Sequence, residues 1–160
     1  MAQASSHSHD HGTPLEQLTL EGLVSVLKGR GMRMTANRHS ILRVLLESDE
    51  PLGLEEIQTR ASVLGSRPDF ATVFRLMLVL EKLKLAQKVN LGRPTSHYEL
   101  VNPQKHHDHL VCVDCGKVTL IEDRCPVEKL ERKLARDYGY TGIKHSLEFF
   151  GHCFECTHPA

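Results

Sequence analysis

The chain has 160 residues, of which 40% are hydrophobic and 25% charged, and its 20 Lys and Arg balance 20 Asp and Glu. That apolar content can build one ordinary domain or two small ones and excludes wholesale disorder, while no uninterrupted apolar run approaches the roughly 18 residues of a membrane helix. Met1 to Thr13 is polar and His-rich, without the apolar centre of a secretory signal, so a cytoplasmic location is expected and disulfides are not.

The charge balance is local. Between Arg60 and Arg93 seven basic residues (Arg60, Arg67, Arg75, Lys82, Lys84, Lys88 and Arg93) stand against two acidic ones (Asp69 and Glu81), a net of +5. Such a run is either a solvated face or the footprint of a polyanionic partner.

In chain order, a His-rich tail (residues 1–13) with too little apolar content to order itself comes first, and His7, His9 and His11 give it a possible metal-scavenging use. Thr13-Pro14-Leu15-Glu16 reads as a helix start, with Thr13 capping and Glu16 completing a capping box, and Leu20, Leu23, Val24 and Leu27 continue at helical spacing to Gly29 and Gly31. A second helix is predicted from Thr35 to Glu47, a third from Leu54 to Leu64 and a fourth from Asp69 to Leu83, the last with Val73, Leu76, Met77 and Leu80 on its core face. The period then changes to two: Ala86 to Leu91 alternates, Gly92-Arg93-Pro94 turns, and Ser96 to Val101 alternates again. Helices followed by a basic hairpin suggest a winged helix-turn-helix, and a small helical domain with a surface hairpin fits the same pattern. Beyond Asn102-Pro103 come short strands at Leu110 to Val113 and Val118 to Ile121, a helix through Val127, Leu130, Leu134 and Tyr138, and a strand from Ile143 to Phe150. The reading is an α+β chain divided into the tail, a winged-helix unit at 14–101 and a small α/β unit at 102–160.

The chemistry concentrates in the second unit. Cys112-Val113-Asp114-Cys115 and Cys153-Phe154-Glu155-Cys156 each place two thiolates where one ion can be shared, and two such pairs close a tetrahedral Zn²⁺ shell with no open position, so the site should be structural. Two independent redox pairs would need a thioredoxin-like context that neither has. Cys125, just before Pro126, has no spaced partner and receives no role. His106-His107-Asp108-His109 precedes the first pair; in a strand, His107 and His109 project to one side and His106 and Asp108 to the other, so two ligand pairs can serve two sites. A rival outline is the zinc nucleobase deaminase, with His97-Tyr98-Glu99 followed by Cys-x-x-Cys, but Val111 stands where that signature has Pro and the second cysteine pair is left over. A zinc-stapled protein-interaction module is the other competing class.

Four segments together resemble the ferric uptake regulator family of bacterial metal-dependent repressors: Met34-Thr35-Ala36-Asn37-Arg38-His39; Ala71-Thr72-Val73-Phe74-Arg75; His106 through Lys117; and Leu147-Glu148-Phe149-Phe150-Gly151. The resemblance spans roughly Leu20 to Cys156. It implies an N-terminal winged helix-turn-helix domain, a C-terminal α/β dimerisation domain, a homodimer (with tetramers a further state) and binding of A/T-rich inverted repeats in double-stranded DNA when a sensory metal is present, with no catalytic activity. Residue by residue it assigns Cys112, Cys115, Cys153 and Cys156 to structural zinc; His39, Glu99, His107 and His109 to the regulatory metal; and His106, Asp108, Glu128 and His145 to an additional site. DNA contacts are expected from Thr72, Phe74 and Arg75, with Arg67 and Arg93 flanking them.

Two positions depart from the family pattern. Phe74 stands where a Tyr is usual, and Leu120 stands where an acidic residue is usual, with Glu122 the candidate to replace it. A carboxylate with imidazoles favours Fe²⁺ or Mn²⁺ over softer ions. The expected sensory metal is therefore Fe²⁺, with a zinc-uptake regulator or a peroxide sensor of the same family as the alternatives.

Overall fold

The computed structural model describes residues 18–101, 108–121, 125–143 and 145–158. The Thr13–Glu16 capping box, His106, His107 and Glu122 lie outside them. Within them the first helix, α1, is Leu20–Gly29, and its cap is Thr19, whose hydroxyl accepts from the Gly22 amide at 3.1 Å. Thr35 caps α2 (Ala36–Glu47) in the same way, and Asp69 caps α4 (Phe70–Lys82) by accepting from the Thr72 amide at 2.6 Å. These short oxygen side chains satisfy amides that a helix start leaves without partners. Bonding to Thr72 also holds the Asp69 carboxyl below its ordinary range.

Between α2 and α4 the sequence reading missed a strand: β1, Leu52–Gly53, precedes α3 (Leu54–Val63). It is two residues long, too short for a period to register. It pairs antiparallel with β3 (His97–Leu100), which also pairs antiparallel with β2 (Ala86–Val89), so the first sheet has the order β1-β3-β2. Leu23, Leu27, Ile41, Leu42, Ile57, Val73, Leu76, Met77 and Leu80 form one buried core with Tyr98 and Leu100 of the sheet.

Polar side chains of α2 and α3 fix the turn into α4. Asn37 Oδ1 accepts from the Arg67 amide at 3.2 Å while Asn37 Nδ2 donates to the Arg67 carbonyl at 3.4 Å, and Gln58 Nε2 donates to the Pro68 carbonyl at 3.1 Å. The hydroxyls of Ser40 and Ser66 meet below them, buried, and Ser66 Oγ donates to the Ala61 carbonyl at 3.0 Å. The turn backbone thus finds its partners in the two helices before it.

The second half builds on β4 (Asp108–Cys112), which lies between β5 (Val118–Ile121) and β6 (Glu148–Gly151) in the order β5-β4-β6. β5 runs antiparallel to β4 and β6 parallel to it. The strand expected from Ile143 to Phe150 is confined to Glu148–Gly151 at its C-terminal end, and a short helix missed in the sequence, α6 (Phe154–Thr157), follows. Helix α5 (Glu128–Tyr138) ends at Gly139 in the left-handed conformation (φ 71°), which glycine adopts without strain. None of its residues is buried.

The two halves touch. Val89 and Leu91 of the hairpin pack with Val111 and Val118 of the second sheet in a separate small core, and Arg93 Nη2 donates to the Gly116 carbonyl at 2.5 Å. The architecture is α+β, with a helix-turn-helix and hairpin in the first half and a small α/β unit in the second. Because Leu80 is wholly buried in the main core, Leu80→Ala is expected to lower stability by about 2–5 kcal/mol, read as a fall in the denaturant midpoint with an unchanged slope.

Candidate metal centres

The four paired cysteines converge. Cys112 closes β4, and the chain turns through Cys115 and Gly116 (φ 76°), with the Gly116 amide donating to the Cys112 carbonyl at 2.9 Å. The parallel register sets Gly151 against Cys112, so β6 delivers Cys153 beside the same turn; Cys156 follows on α6. Cys115 Sγ lies 3.7 Å from Cys153 Sγ, and Cys112 Sγ lies 3.9 Å from Cys156 Sγ. A tetrahedron with Zn–S bonds of 2.3 Å has edges of about 3.8 Å, so the sulfur shell already has the dimensions of a zinc site.

Electrostatics separates the four thiols. Backbone amides of Cys115 and Cys153 hold Cys112 down to about 6, whereas the crowding side chains of Cys153 and Cys115 push Cys156 far up. Four sulfurs this close cannot all ionise without a cation, and a dication among them removes the conflict. Around them, Lys117 Nζ lies 2.9 Å from Glu155 Oε1, an ion pair that takes Glu155 down to about 2, and His152 Nδ1 lies 2.6 Å from Asp114 Oδ2. This convergence leaves no Cys-x-x-Cys pair for the deaminase outline. His97 is buried instead beside Gly53, with Nδ1 3.0 Å from the Thr95 carbonyl.

A second arrangement spans the two halves. His109, 1% exposed on β4, has Nε2 3.2 Å from Glu99 Oε2 on β3. The approach is close but poorly directed, so among the described residues both ring nitrogens lack an oriented hydrogen-bond partner. Glu99 Oε1 accepts from Gln87 Nε2 at 2.7 Å. Of the other expected regulatory ligands, His39 is half-buried on α2 and His107 lies outside the described residues. Two groups of three or more ligand-type residues have their ligand atoms within 4.8 Å of one another among the described residues, and neither contains His39, Glu99 or His109.

The other group lies on the opposite face of β4 and differs from the set expected from sequence. Asp108, Cys125 and His145 meet there. Glu128 does not: its carboxylate is exposed and paired with Arg132, one turn along α5, at 2.5 Å. Glu131, three residues on, reaches the site instead, 2.8 Å from His145 Nδ1. Cys125 and Glu131 are what sequence reasoning missed. Cys125 has no spaced partner in the sequence, because its partners arrive from β4 and from the approach to β6.

On helix α4, Phe74 and Arg75 are exposed and Thr72 half-buried, with Arg67 exposed in the turn before it. Arg93 is exposed, and its guanidinium donates to the Gly116 carbonyl of the cysteine turn. A Cβ on Gly116 would collide with that guanidinium, and the positive φ adds strain.

Cys153 donates its backbone amide to Cys112 Sγ at 3.2 Å besides offering its own sulfur. Cys153→Ser is therefore expected to reduce the zinc retained through purification from one equivalent per chain at the cysteine site to a small fraction, and to lower the melting temperature, as metal analysis and a thermal scan will show.

The family model described as the ferric uptake regulator family matches residues 29–150. The ferric uptake regulation protein of Escherichia coli (strain K12) is 35% identical over 132 residues, covering 82% of this chain and 88% of that one. Among solved structures, that of the Helicobacter pylori ferric uptake regulator, which reveals three functional metal binding sites, aligns with a TM-score of 0.71 at 28% identity, over 91% of this chain and 97% of that one. The regulator from Francisella tularensis, solved with iron, aligns with a TM-score of 0.64 at 28% identity, over 80% of this chain and 96% of that one. With its helix-turn-helix, its hairpin docked on a second sheet and its four converging cysteines, the chain belongs to the ferric uptake regulator family.

Proposed function

We propose that the chain is a homodimeric, metal-dependent transcriptional repressor of metal-homeostasis genes, acting in the cytoplasm, and that Fe²⁺ at the junction of its two halves is the signal. His109 carries this reading. A wholly buried imidazole must satisfy both nitrogens, and among the described residues His109 has only the undirected approach of a carboxylate from the other half. A divalent ion bound by His109 and Glu99, with His39 and His107 and with Glu122 as a fifth ligand, supplies what the ring lacks.

Such an ion ties β3 to β4 and so fixes the angle between the halves. Metal and DNA affinities then rise together, because each favours the same closed arrangement. In a dimer the two α4 helices enter successive major grooves, roughly 34 Å apart, of an A/T-rich inverted repeat, with Thr72, Phe74, Arg75 and Arg67 against the DNA. The dimer face in this reading is the apolar side that the second half leaves uncovered: Leu110 and Phe149, register partners on β4 and β6 and each 46% exposed, together with Leu130 and Tyr138 of α5. Cys112, Cys115, Cys153 and Cys156 hold zinc permanently. They keep the end of that sheet closed without taking part in sensing.

The testing experiment sequences genomic fragments retained by the purified protein with Fe²⁺ under anaerobic conditions, with Zn²⁺, with Mn²⁺ and with a mild chelator. An inverted repeat enriched with metal and lost with chelator is the expected result. The genes beside it separate iron sensing from the zinc-uptake and peroxide-sensing alternatives, and the mass of the complex separates dimers from tetramers. His107→Ala/His109→Ala should keep its cysteine-bound zinc and its dimeric mass while losing a metal stimulation of DNA binding of about 5- to 150-fold. Stimulation unchanged in that double variant overturns the proposal.

A further inference from the structure

We infer that Asp108, Cys125 and His145 form a thiolate-containing metal site that prefers zinc-class ions to Fe²⁺ and Mn²⁺, with Cys125 in the ligand place that family resemblance gives to Glu128. Three observations carry it. Cys125 Sγ lies 3.2 Å from His145 Nε2, Asp108 Oδ1 lies 3.8 Å from the same nitrogen, and the three ligand atoms fall within 4.8 Å of one another. Tetrahedral zinc with Zn–S of 2.3 Å and Zn–N or Zn–O near 2.0–2.1 Å separates neighbouring ligands by roughly 3.3–3.6 Å. The observed spacings straddle that value.

The second observation is the orientation of the ring. Glu131 Oε1 lies 2.8 Å from His145 Nδ1, and a carboxylate there keeps the proton on Nδ1 and turns the Nε2 lone pair toward Cys125 and Asp108. This carboxylate–imidazole relay is how metal-bound histidines are commonly held.

The third is charge. Asp108 is 4% exposed and Cys125 is 8% exposed, and among the described residues no lysine or arginine is paired with Asp108 or Glu131. Two carboxylates and a thiol around one imidazole are donors that a dication binds together. Cysteine, histidine and a carboxylate in line are also the outline of an activated nucleophile, but a nucleophile must be reached by its substrate, and this sulfur is buried. A thiolate ligand selects for zinc-class ions, whereas oxygen and imidazole ligands alone suit Fe²⁺ and Mn²⁺. Bound there, the ion joins β4, the entry to α5 and the approach to β6.

The inference does not depend on the repressor reading, because the His39, Glu99, His107 and His109 set has no sulfur. The test titrates the full-length protein, carrying one zinc per chain at the four-cysteine site, with Co²⁺ under anaerobic reducing conditions while released zinc is monitored. The expected result is a thiolate-to-cobalt charge-transfer absorption, saturating at one equivalent with the zinc retained. Cys125→Ser removes that absorption but keeps its zinc. Glu131→Gln keeps the absorption and weakens cobalt binding by about 10- to 100-fold, and Glu128→Gln changes nothing. Added Zn²⁺ displaces the cobalt, and a tenfold excess of Fe²⁺ or Mn²⁺ does not. No charge-transfer absorption in the wild type, or the same absorption in Cys125→Ser, overturns the inference, and the wild-type titration decides the matter even if the serine variant fails to fold.

Discussion

Strand β4 has both edges paired, to β5 on one side and β6 on the other, so its pleat cannot shift without breaking two ladders. That fixed alternation distributes the chemistry of the second half. His109 and Val111 point toward the first half, where Glu99 and the hairpin lie, while Asp108 points to the other face, toward His145 and Cys125. The strand ends on Cys112, and the parallel neighbour β6 ends two residues before Cys153. Three ligand groups therefore share one rigid ruler. A slip of one residue would exchange the two faces and empty all three.

The hairpin makes the second constraint. Its Val89 and Leu91 are buried against Val111 and Val118, and burying each such side chain contributes about 1.5–3 kcal/mol relative to leaving it exposed. Arg93 adds a bond to the cysteine turn. The halves are thus already docked where His109 and Glu99 meet, so a metal has only to bias an existing interface. A coupling of about 1–3 kcal/mol is the ordinary size of such a bias.

The longer helices were legible from their amphipathic period, aided in α1, α2 and α4 by a short polar cap, and the cysteine pairs were legible because ligand spacing within a pair is local. Thr35, Asp69 and the core faces of α3 and α4 appear in the sequence where they appear in the fold. What escaped was non-local. The strand β1 is two residues long and exists because β3 runs beside it. Arg93 reads as a surface cation in a basic run, which it is, but its bond to a carbonyl twenty-three residues away leaves no local trace in the sequence. Cys125 and Glu131 are invisible as ligands because nothing in their own neighbourhood repeats. Glu128 has the better position in the sequence, but α5 turns it outward to Arg132 and turns Glu131 inward, a difference of three residues on a helix that propensity cannot resolve.

The three ligand groups differ in hardness, and this bears on how one chain can hold one metal and respond to another. At a given nitrogen and oxygen site Zn²⁺ binds more tightly than Fe²⁺ or Mn²⁺, so a sensor of the weaker-binding ions cannot rely on affinity alone. Sulfur is the simplest way to divide the labour. The four-cysteine site is closed and thiolate-only, and Cys125 brings sulfur to the face of β4 away from the hairpin. The junction at His109 and Glu99 has imidazole and carboxylate without sulfur. In the proposed reading zinc goes to the sites that contain thiolate and the junction is left to the sensed ion, because the junction, unlike the thiolate sites, has one ligand on the hairpin of the first half and one on the sheet of the second.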